Sequence, residues 1–252
     1  MKIACCSWSF RKAFDRGELD LMTFIDLAAE AGFDGVEPAT STFASVRRRY
    51  LRDVTDRLTD RRIEISTLAV ANDFAHPDPK ERASQSDDVI GWLWVMKELG
   101  VERLRTFLGF PPDGADPDEM RARVWECCER IVPQAERTGR VLCVENHEGI
   151  LGTADEVLKL IDHFATAYLQ INVDPANFVA GQADRTPAER EPLYADAARL
   201  ARHAQHFHLK LRDFDPEGNP SNLDVPRLLD ILRKACYRGW ISFEIFGTDE
   251  PL

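Results

Sequence analysis

The stretch VLCVENHEG, residues 141–149, decides how this chain is expected to fold. Its first four residues form a continuous apolar run, which is typical of a strand covered on both faces. Glu145 follows this run directly, and a carboxylate is costly to bury unless something pairs with it. The stretch therefore predicts a buried strand whose terminal carboxylate has a partner elsewhere in the fold.

The same pattern recurs three times further along the chain. LQINVD ends at Asp174, HFHLK carries His208, and WISFE ends at Glu244. With Glu145, the strand ends thus offer two glutamates, one aspartate and one histidine. We expect these side chains to meet around one divalent metal ion at the mouth of a barrel, because three carboxylates would repel one another strongly without a cation.

Predicted strands and helices alternate along the whole chain. The strands are expected over residues 3–7, 33–37, 63–69, 101–108, 141–145, 169–174, 207–211 and 241–245. The intervening helices are expected over residues 21–31, 46–60, 85–99, 117–137, 154–164, 187–202 and 225–236. Strands spaced by about 30 to 40 residues are typical of βα units, and eight such units close most simply as an α/β TIM barrel. A doubly wound open sheet is the competing layout.

We expect a single barrel domain over residues 1–252, because no linker-like stretch divides the chain. After the last predicted strand only FGTDEPL remains, which is too short for an eighth helix. Either the N-terminal loop or another subunit must then cover apolar surface of the barrel. The second alternative predicts a homo-oligomer.

The composition argues against several classes of function. The 252 residues are 44% hydrophobic and 30% charged, as in an ordinary soluble protein, and the net charge of −11 argues against a nucleic-acid partner. No apolar run approaches the roughly 20 residues that a membrane helix needs. The apolar stretch in MKIACCSW is too short for a signal peptide. The six cysteines include two adjacent pairs and no CxxC, so we expect a reduced, cytoplasmic protein.

The predicted metal site combines carboxylate oxygens with one imidazole nitrogen. Such a ligand set suits Mn²⁺, Mg²⁺, Co²⁺ or Zn²⁺ without selecting among them. Glu145 and Glu244 are candidates for removing and returning a proton next to a carbonyl that the metal holds. Lys210 lies on the same strand face as His208 and is a third catalytic candidate. Its alternative role is a structural ion pair with Glu244 or Asp174.

Five further residues in or beside predicted strands are candidates for binding the substrate. They are Trp8, Glu37, Arg105, His147 and His206. For Glu37 and Arg105 the alternative is an ion pair across the barrel mouth, and for His206 it is a supporting position behind the site. The loops DFDPEGNPSN and FGTDEPL are acidic or brief and offer no phosphate cradle, which favours an unphosphorylated small molecule as substrate.

These motifs give the sequence a resemblance to the xylose isomerase-like TIM barrels, a family of sugar isomerases, ketose 3-epimerases, hydroxypyruvate isomerases, inosose dehydratases and endonuclease IV. The resemblance covers nearly the whole chain and rests on AGFDGVEP (31–38), ELGVERLRTFLG (98–109), VLCVENH (141–147), INVDPANF (171–178), HFHLKLRD (206–213) and GWISFEIFG (239–247). In the epimerase-like members the metal ligands match Glu145, Asp174, His208 and Glu244, and the two glutamates are the acid/base pair. The resemblance implies an isomerase or epimerase for a sugar, a polyol or a small hydroxy-carbonyl compound.

Two departures from the family pattern narrow this expectation. Epimerases of the group often carry a histidine where this chain has Asn177, which can hydrogen-bond a substrate hydroxyl but cannot relay a proton. Endonuclease IV needs additional histidine ligands for three zinc ions, whereas this chain has six histidines in all and an acidic balance. Two rivals to the isomerase remain: an inosose-type dehydratase on the same metal site, and a non-catalytic sugar-binding relative.

Overall fold

The strands form one parallel sheet that curls into a barrel. A computed structural model describes residues 1–110, 114–147, 150–178, 186, 188–212 and 214–246 of the chain. Within these residues the strands are β1 (Lys2–Cys6), β2 (Gly35–Glu37), β3 (Glu64–Ile65), β4 (Leu68–Ala69), β5 (Arg103–Thr106), β6 (Val141–Glu145), β7 (Leu169–Val173), β8 (Ala204–Leu211) and β9 (Trp240–Ile245). Every pairing between these strands is parallel.

The order of the strands closes the barrel. Across the sheet it is β3-β2-β1-β9-β8-β7-β6-β5-β4, so the two ends of the sheet are β3 and β4, which are consecutive in sequence. Ser66 and Thr67 separate them, and the hydroxyls of these two residues donate hydrogen bonds to the carbonyl oxygens of Val36 and Arg103 on the flanking strands. The predicted TIM barrel is therefore confirmed. The prediction of one continuous strand over residues 63–69 is wrong, because the chain there passes from pairing with β2 to pairing with β5.

Helices follow the strands around the outside of the barrel. In the described residues they are α1 (Arg11–Asp15), α2 (Leu21–Glu30), α3 (Arg48–Arg61), α4 (Pro79–Leu99), α5 (Pro117–Thr138), α6 (Ala154–Phe164), α7 (Glu191–Leu200) and α8 (Val225–Lys234). The short α1 has no counterpart in the sequence prediction. Helix α4 begins well before the predicted residue 85, because Asp78 caps it by accepting a hydrogen bond from the amide of Lys80 at 2.8 Å. Its first turns are polar and so lack the apolar spacing on which the prediction depended.

The helix ends follow the chemistry of the sequence. Thr153 caps α6 by accepting a hydrogen bond from the amide of Glu156. Gly100 and Gly139 end α4 and α5 with φ angles of 71° and 65°, a left-handed conformation that favours glycine. These caps fix where each helix returns the chain to the sheet.

Three predictions fall on residues outside the described part of the chain. One concerns Pro187, which was expected in the first turn of the helix that the structure begins at Glu191. The others are the missing eighth helix, which concerns residues 247–252, and the extent of the single domain over residues 1–252. All three stay predictions.

Two further observations bear on the composition. All six cysteines are free, and five of them are buried, in agreement with a chain that has no disulfide framework. Among the described residues, every helix is too short or too polar to cross a membrane.

Candidate metal centre

Four side chains from adjacent strands converge at the carboxyl-terminal mouth of the barrel. Glu145 ends β6, Asp174 follows β7 directly, and His208 and Glu244 lie on β8 and β9. Because these strands are neighbours, each residue brings one potential ligand atom to within 4.8 Å of the others. All four residues are buried, and we call them the quartet.

Three atoms of the quartet have no hydrogen-bond partner among the described residues. They are Glu145 Oε2, Asp174 Oδ2 and His208 Nδ1. Two of these atoms face cations, Glu145 Oε2 at 3.2 Å from Arg105 Nε and Asp174 Oδ2 at 3.4 Å from Lys210 Nζ. A buried polar atom that lacks a hydrogen bond is nevertheless unfavourable, so three such atoms around one point indicate a site built for a ligand. Carboxylate oxygens with one imidazole nitrogen fit a single hard-to-borderline divalent cation.

The orientation of His208 is fixed from behind the quartet. Its Nε2 lies 3.0 and 2.9 Å from the two carboxylate oxygens of Glu37 and donates its proton to them. Its Nδ1 points the other way, 3.5 Å from Glu145 Oε1, 4.0 Å from Asp174 Oδ2 and 3.6 Å from Glu244 Oε2. A carboxylate behind an imidazole is the common support of a metal-binding histidine, since it fixes the tautomer and the ring.

The charges of His208 and Glu37 reinforce each other. Burial opposes a charge on His208, but Glu37 and Glu145 outweigh burial and hold the pKa of the imidazole well above its ordinary value. Burial likewise opposes ionisation of Glu37, but His208 and His206 outweigh it and lower the pKa of the carboxyl to about 2. Glu37 is therefore ionised, fully enclosed and engaged with protein groups.

Arg105, on β5, lies between two carboxylates. Its Nε is 3.2 Å from Glu145 Oε2 and 3.6 Å from Glu37 Oε1, so the ion pair considered for Arg105 and Glu37 is present. These contacts are charge pairs rather than aligned hydrogen bonds, because Nε of Arg105 makes no hydrogen bond within the described residues. The ring centroid of Phe107 lies 4.3 Å from the guanidinium carbon, within the range of a cation–π contact.

Lys210 and Asn177 form a bridge on the opposite side of the quartet. Lys210 Nζ donates to Asn177 Oδ1 at 2.8 Å and lies 3.4 Å from Asp174 Oδ2 and 3.7 Å from Glu244 Oε2. Asn177 Nδ2 donates in turn to Glu145 Oε1 at 2.9 Å. Asn177 thus ties the position of Glu145 to that of Lys210.

The two candidate acid/base glutamates differ in their electrostatic surroundings. For Glu145, burial opposes ionisation, but Arg105 and His208 outweigh it and hold the pKa of the carboxyl well below its ordinary value. For Glu244, burial prevails over Lys210 and His208 and raises the pKa to about 7. An ionised carboxylate opposite a carboxyl near neutrality is suited to paired proton transfers in opposite directions.

A cavity of about 690 Å³ opens onto the quartet. Its inner end includes Glu145, Glu244 and Lys210. Much of the remaining wall consists of aromatic rings, those of Trp8, Trp92, Phe107, Phe110, His147 and Phe246. Trp8, Arg105 and His147, predicted to bind substrate, all line this cavity, whereas Glu37, Asn177 and His206 are not among its lining residues.

A second polar cluster lies deeper in the barrel, around His206. Its Nδ1 is 3.0 Å from Asn172 Oδ1, and its Nε2 is 3.4 and 3.3 Å from the hydroxyls of Ser66 and Ser242. We call these four residues the inner layer. Burial lowers the pKa of His206 to about 3, so the ring is neutral and its hydrogen bonds span the barrel from β8 to the junction of β3 and β4.

The inner layer touches a second group of metal-ligand type. Glu37, His206 and His208 also place donor atoms within 4.8 Å of one another. In this group, however, Nε2 of His208 already bonds to Glu37, and both nitrogens of His206 have partners. The unpaired atoms therefore distinguish the quartet from this group.

Asn146 is a structural residue that the sequence prediction missed. Its Nδ2 donates to the carbonyl oxygen of Asp174 at 2.8 Å, and its Oδ1 accepts from the amide of Asp174 at 2.7 Å. These paired bonds fix Asp174 relative to Glu145 across the ends of β6 and β7. The signal was available, since an amide side chain that directly follows a buried strand must find partners.

Comparison with known proteins agrees with this geometry. Residues 25–252 match the family model for xylose isomerase-like TIM barrels, whereas no curated protein matches significantly. A D-psicose 3-epimerase from Clostridium cellulolyticum, solved with D-tagatose, is similar with a TM-score of 0.78 at 18% identity, over 98% of this chain and 85% of that chain. An Escherichia coli 3-keto-D-glucoside 4-epimerase gives a TM-score of 0.76 at 16% identity, over 100% of this chain and 94% of that chain.

A third similar structure is an L-ribulose 3-epimerase, with a TM-score of 0.76 at 18% identity over 98% of this chain and 82% of that chain. At these identities the likenesses show the fold. The family model covers most of the sequence and agrees with the motifs at the strand ends. The chain therefore belongs to the xylose isomerase-like TIM barrel family.

Proposed function

We propose that the protein is a metal-dependent isomerase or epimerase, which moves a proton next to the carbonyl of a sugar, a polyol derivative or a small hydroxy-carbonyl compound. One observation carries the proposal: the quartet holds three ligand atoms without a hydrogen-bond partner among the described residues, and its two glutamates, which differ in electrostatic character, line the cavity. The epimerase names of the similar structures point to the same chemistry. The free cysteines are consistent with a reduced, cytoplasmic setting.

The quartet would hold the metal ion through three carboxylates and Nδ1 of His208. When bound, a divalent ion polarises the substrate carbonyl and stabilises the negative charge that develops on the sugar oxygens. The donor set suits Mn²⁺, and equally Mg²⁺, Co²⁺ or Zn²⁺. Lys210 brings a second positive charge to the same end of the cavity.

The proton transfers are assigned to the two glutamates. Glu145 is ionised and held in place by Asn177 and Arg105, so it serves as the base that removes the proton from the carbon next to the carbonyl. Glu244, whose pKa burial raises to about 7, takes up a proton from solvent during turnover and delivers it to the opposite face of the substrate. Return to the same carbon inverts its configuration, and return to the neighbouring carbon moves the carbonyl.

A dehydratase on the same site is the second candidate. Removal of the proton by Glu145 and loss of a neighbouring hydroxyl as water would require a proton donor near the leaving oxygen. The Lys210 ammonium lines the cavity, and both ends of the Asn177 amide are engaged by Lys210 and Glu145. Epimerases often carry a histidine at this position, and an amide cannot relay a proton as histidine can. This difference favours the lyase over the epimerase.

The direct test is turnover in D₂O by the Mn²⁺-loaded protein on a panel of ketoses and keto-polyols, followed by NMR and mass spectrometry. We expect deuterium in an epimerised or isomerised product, whereas loss of water would identify the lyase. Glu145→Gln and Glu244→Gln should each lower turnover by about 10²- to 10⁴-fold. Glu217→Gln, at an exposed site, is the matched control. Retained turnover in both glutamate variants would overturn the assignment.

A further inference from the structure

The cavity is larger than one sugar ring requires. Its volume of about 690 Å³ lies in the range of pockets that enclose drug-sized ligands, and a single hexose is much smaller than such a ligand. Glu145, Glu244 and Lys210 lie at the inner end, near the strand termini. Asp88 and Trp92 of α4 also line the cavity, so it extends from the barrel axis to the outer layer of helices.

The outer part of the cavity, on the side of α4, presents a fixed, flat, apolar face. The Trp92 ring packs against Phe43, with ring centroids 5.3 Å apart and planes at 63°. The Asp88 carboxylate lies one helical turn earlier, and the Trp92 side chain offsets part of the rise that burial causes in the pKa of that carboxyl. A half-buried indole that packs against a neighbouring ring offers its exposed part to the cavity, and such a ring binds another planar apolar group well.

A second indole borders the same space. Trp8 is 44% exposed and lines the cavity, with the Arg11 guanidinium 5.5 Å from its ring. An aromatic side chain that remains exposed at the wall of a pocket is a characteristic contact for a ligand.

Among the described residues that line the cavity away from its inner end, few present polar side chains other than the indoles. They are Thr40, Ser41, Asp88, His147 and Arg105, the last of which already faces Glu145 and Glu37. Three alanines, Ala39, Ala69 and Ala71, also line the cavity. A second sugar ring would bring several hydroxyls, and each hydroxyl that is buried without a partner costs free energy. An aromatic ring has no such requirement and gains from stacking on the indole.

On the basis of the proposed function, we propose that the substrate is a keto-sugar that carries a planar aromatic substituent. The sugar lies at the quartet, and the aromatic ring lies in the outer part of the cavity against Trp92. Trp92 is then a specificity-determining residue that acts on binding of the substituent and takes no part in the proton transfers.

The test compares two glucosides that differ in the substituent alone. Phenyl β-D-glucopyranoside and methyl β-D-glucopyranoside are titrated by calorimetry into the full-length, Mn²⁺-loaded protein. We expect the phenyl compound to bind about tenfold more tightly. Trp92→Ala should remove this preference, with little change for the methyl compound. Trp94→Ala is the matched control, since Trp94 lies on the same helix, is 44% exposed and is not part of the cavity wall.

Trp92→Leu provides a second variant if the alanine variant fails to fold, because leucine keeps apolar volume and lacks the flat ring. Equal affinities for the two glucosides, no binding of the phenyl compound, or an unchanged preference in the folded Trp92 variants would overturn the inference. Deuterium exchange with simple ketoses but no phenyl preference rejects this inference alone. Phenyl preference without any metal-dependent exchange rejects the proposed function alone.

Discussion

His206 and His208 are two residues apart on one strand, face the same interior and are equally buried, yet their surroundings differ. Both ring nitrogens of His206 have partners in the inner layer, and burial lowers its pKa to about 3. Nδ1 of His208 has no hydrogen-bond partner among the described residues and faces three carboxylates. Burial of polar groups therefore does not by itself mark a site in this barrel. A site is indicated where several polar atoms without hydrogen-bond partners converge on one point.

The two regions also differ in charge. The inner layer consists of neutral side chains that hydrogen-bond to one another across the barrel. The quartet concentrates carboxylates, which Arg105 and Lys210 offset from two sides. We infer that the inner layer stabilises the fold and that the quartet binds a cation, and the following variants separate these two roles.

The largest effect is expected for Asp174→Asn. The change removes one charge and one ligand oxygen but keeps the shape of the side chain, so Mn²⁺ affinity should fall by more than about a hundredfold. Titration of the chelator-treated protein by calorimetry measures this loss. Ser242→Ala, in the inner layer, is the control. Equal Mn²⁺ affinity in wild type and Asp174→Asn would place the metal elsewhere.

Glu37→Gln should have the next largest effect. An amide accepts the Nε2 proton of His208 less strongly than a carboxylate does, so the imidazole loses its fixed tautomer and part of its basicity. Loss of such a supporting partner typically lowers metal affinity by about 10- to 100-fold. The same calorimetric titration tests it, and an affinity within error of wild type would show that His208 does not depend on Glu37.

Metal affinity should fall as the pH is lowered below 7. The pKa of Glu244 is raised to about 7 by burial, and that of His208 is raised by Glu37 and Glu145, so both groups hold protons that the cation must displace. Each displaced proton weakens apparent binding by about tenfold per pH unit below the pKa of its group. Mn²⁺ titrations between pH 5.5 and 8.5 measure the slope. A flat profile in wild type would contradict the assignment of these two ligands.

The smallest effect on the metal is expected for His206→Leu. The change leaves Asn172, Ser66 and Ser242 without their shared partner, which should lower the free energy of unfolding by about 1–3 kcal/mol. Urea unfolding measures this loss. Mn²⁺ affinity should stay close to that of wild type. A loss of affinity like that of Asp174→Asn would remove the distinction between the two regions.

The sequence was sufficient to predict that the four residues of the quartet lie close together. Parallel strands place their carboxyl ends at one mouth, so Glu145, Asp174 and Glu244 at strand ends had to be neighbours once the barrel was assumed. The alternation on β8 likewise placed His206, His208 and Lys210 on one face, as the structure has them. These inferences need only the order and period of the strands.

Contacts across the barrel could not be predicted from the sequence. His206 meets Ser66 although 140 residues separate them, and no local pattern encodes such a pairing. For the same reason the sequence could not decide between the substrate role and the ion pair considered for Glu37, and it could not show that the Asn177 side chain bonds to Glu145. The contribution of α4 to the cavity was missed because Asp88 and Trp92 lie on a helix far from any strand end.

Metal binding by the quartet is tested most directly by anomalous diffraction at the manganese edge from crystals grown with Mn²⁺. We expect one peak per chain, within about 2.5 Å of carboxylate oxygens of Glu145, Asp174 and Glu244 and of Nδ1 of His208. A peak between Glu37, His206 and Nε2 of His208, or no peak inside the barrel, would contradict it.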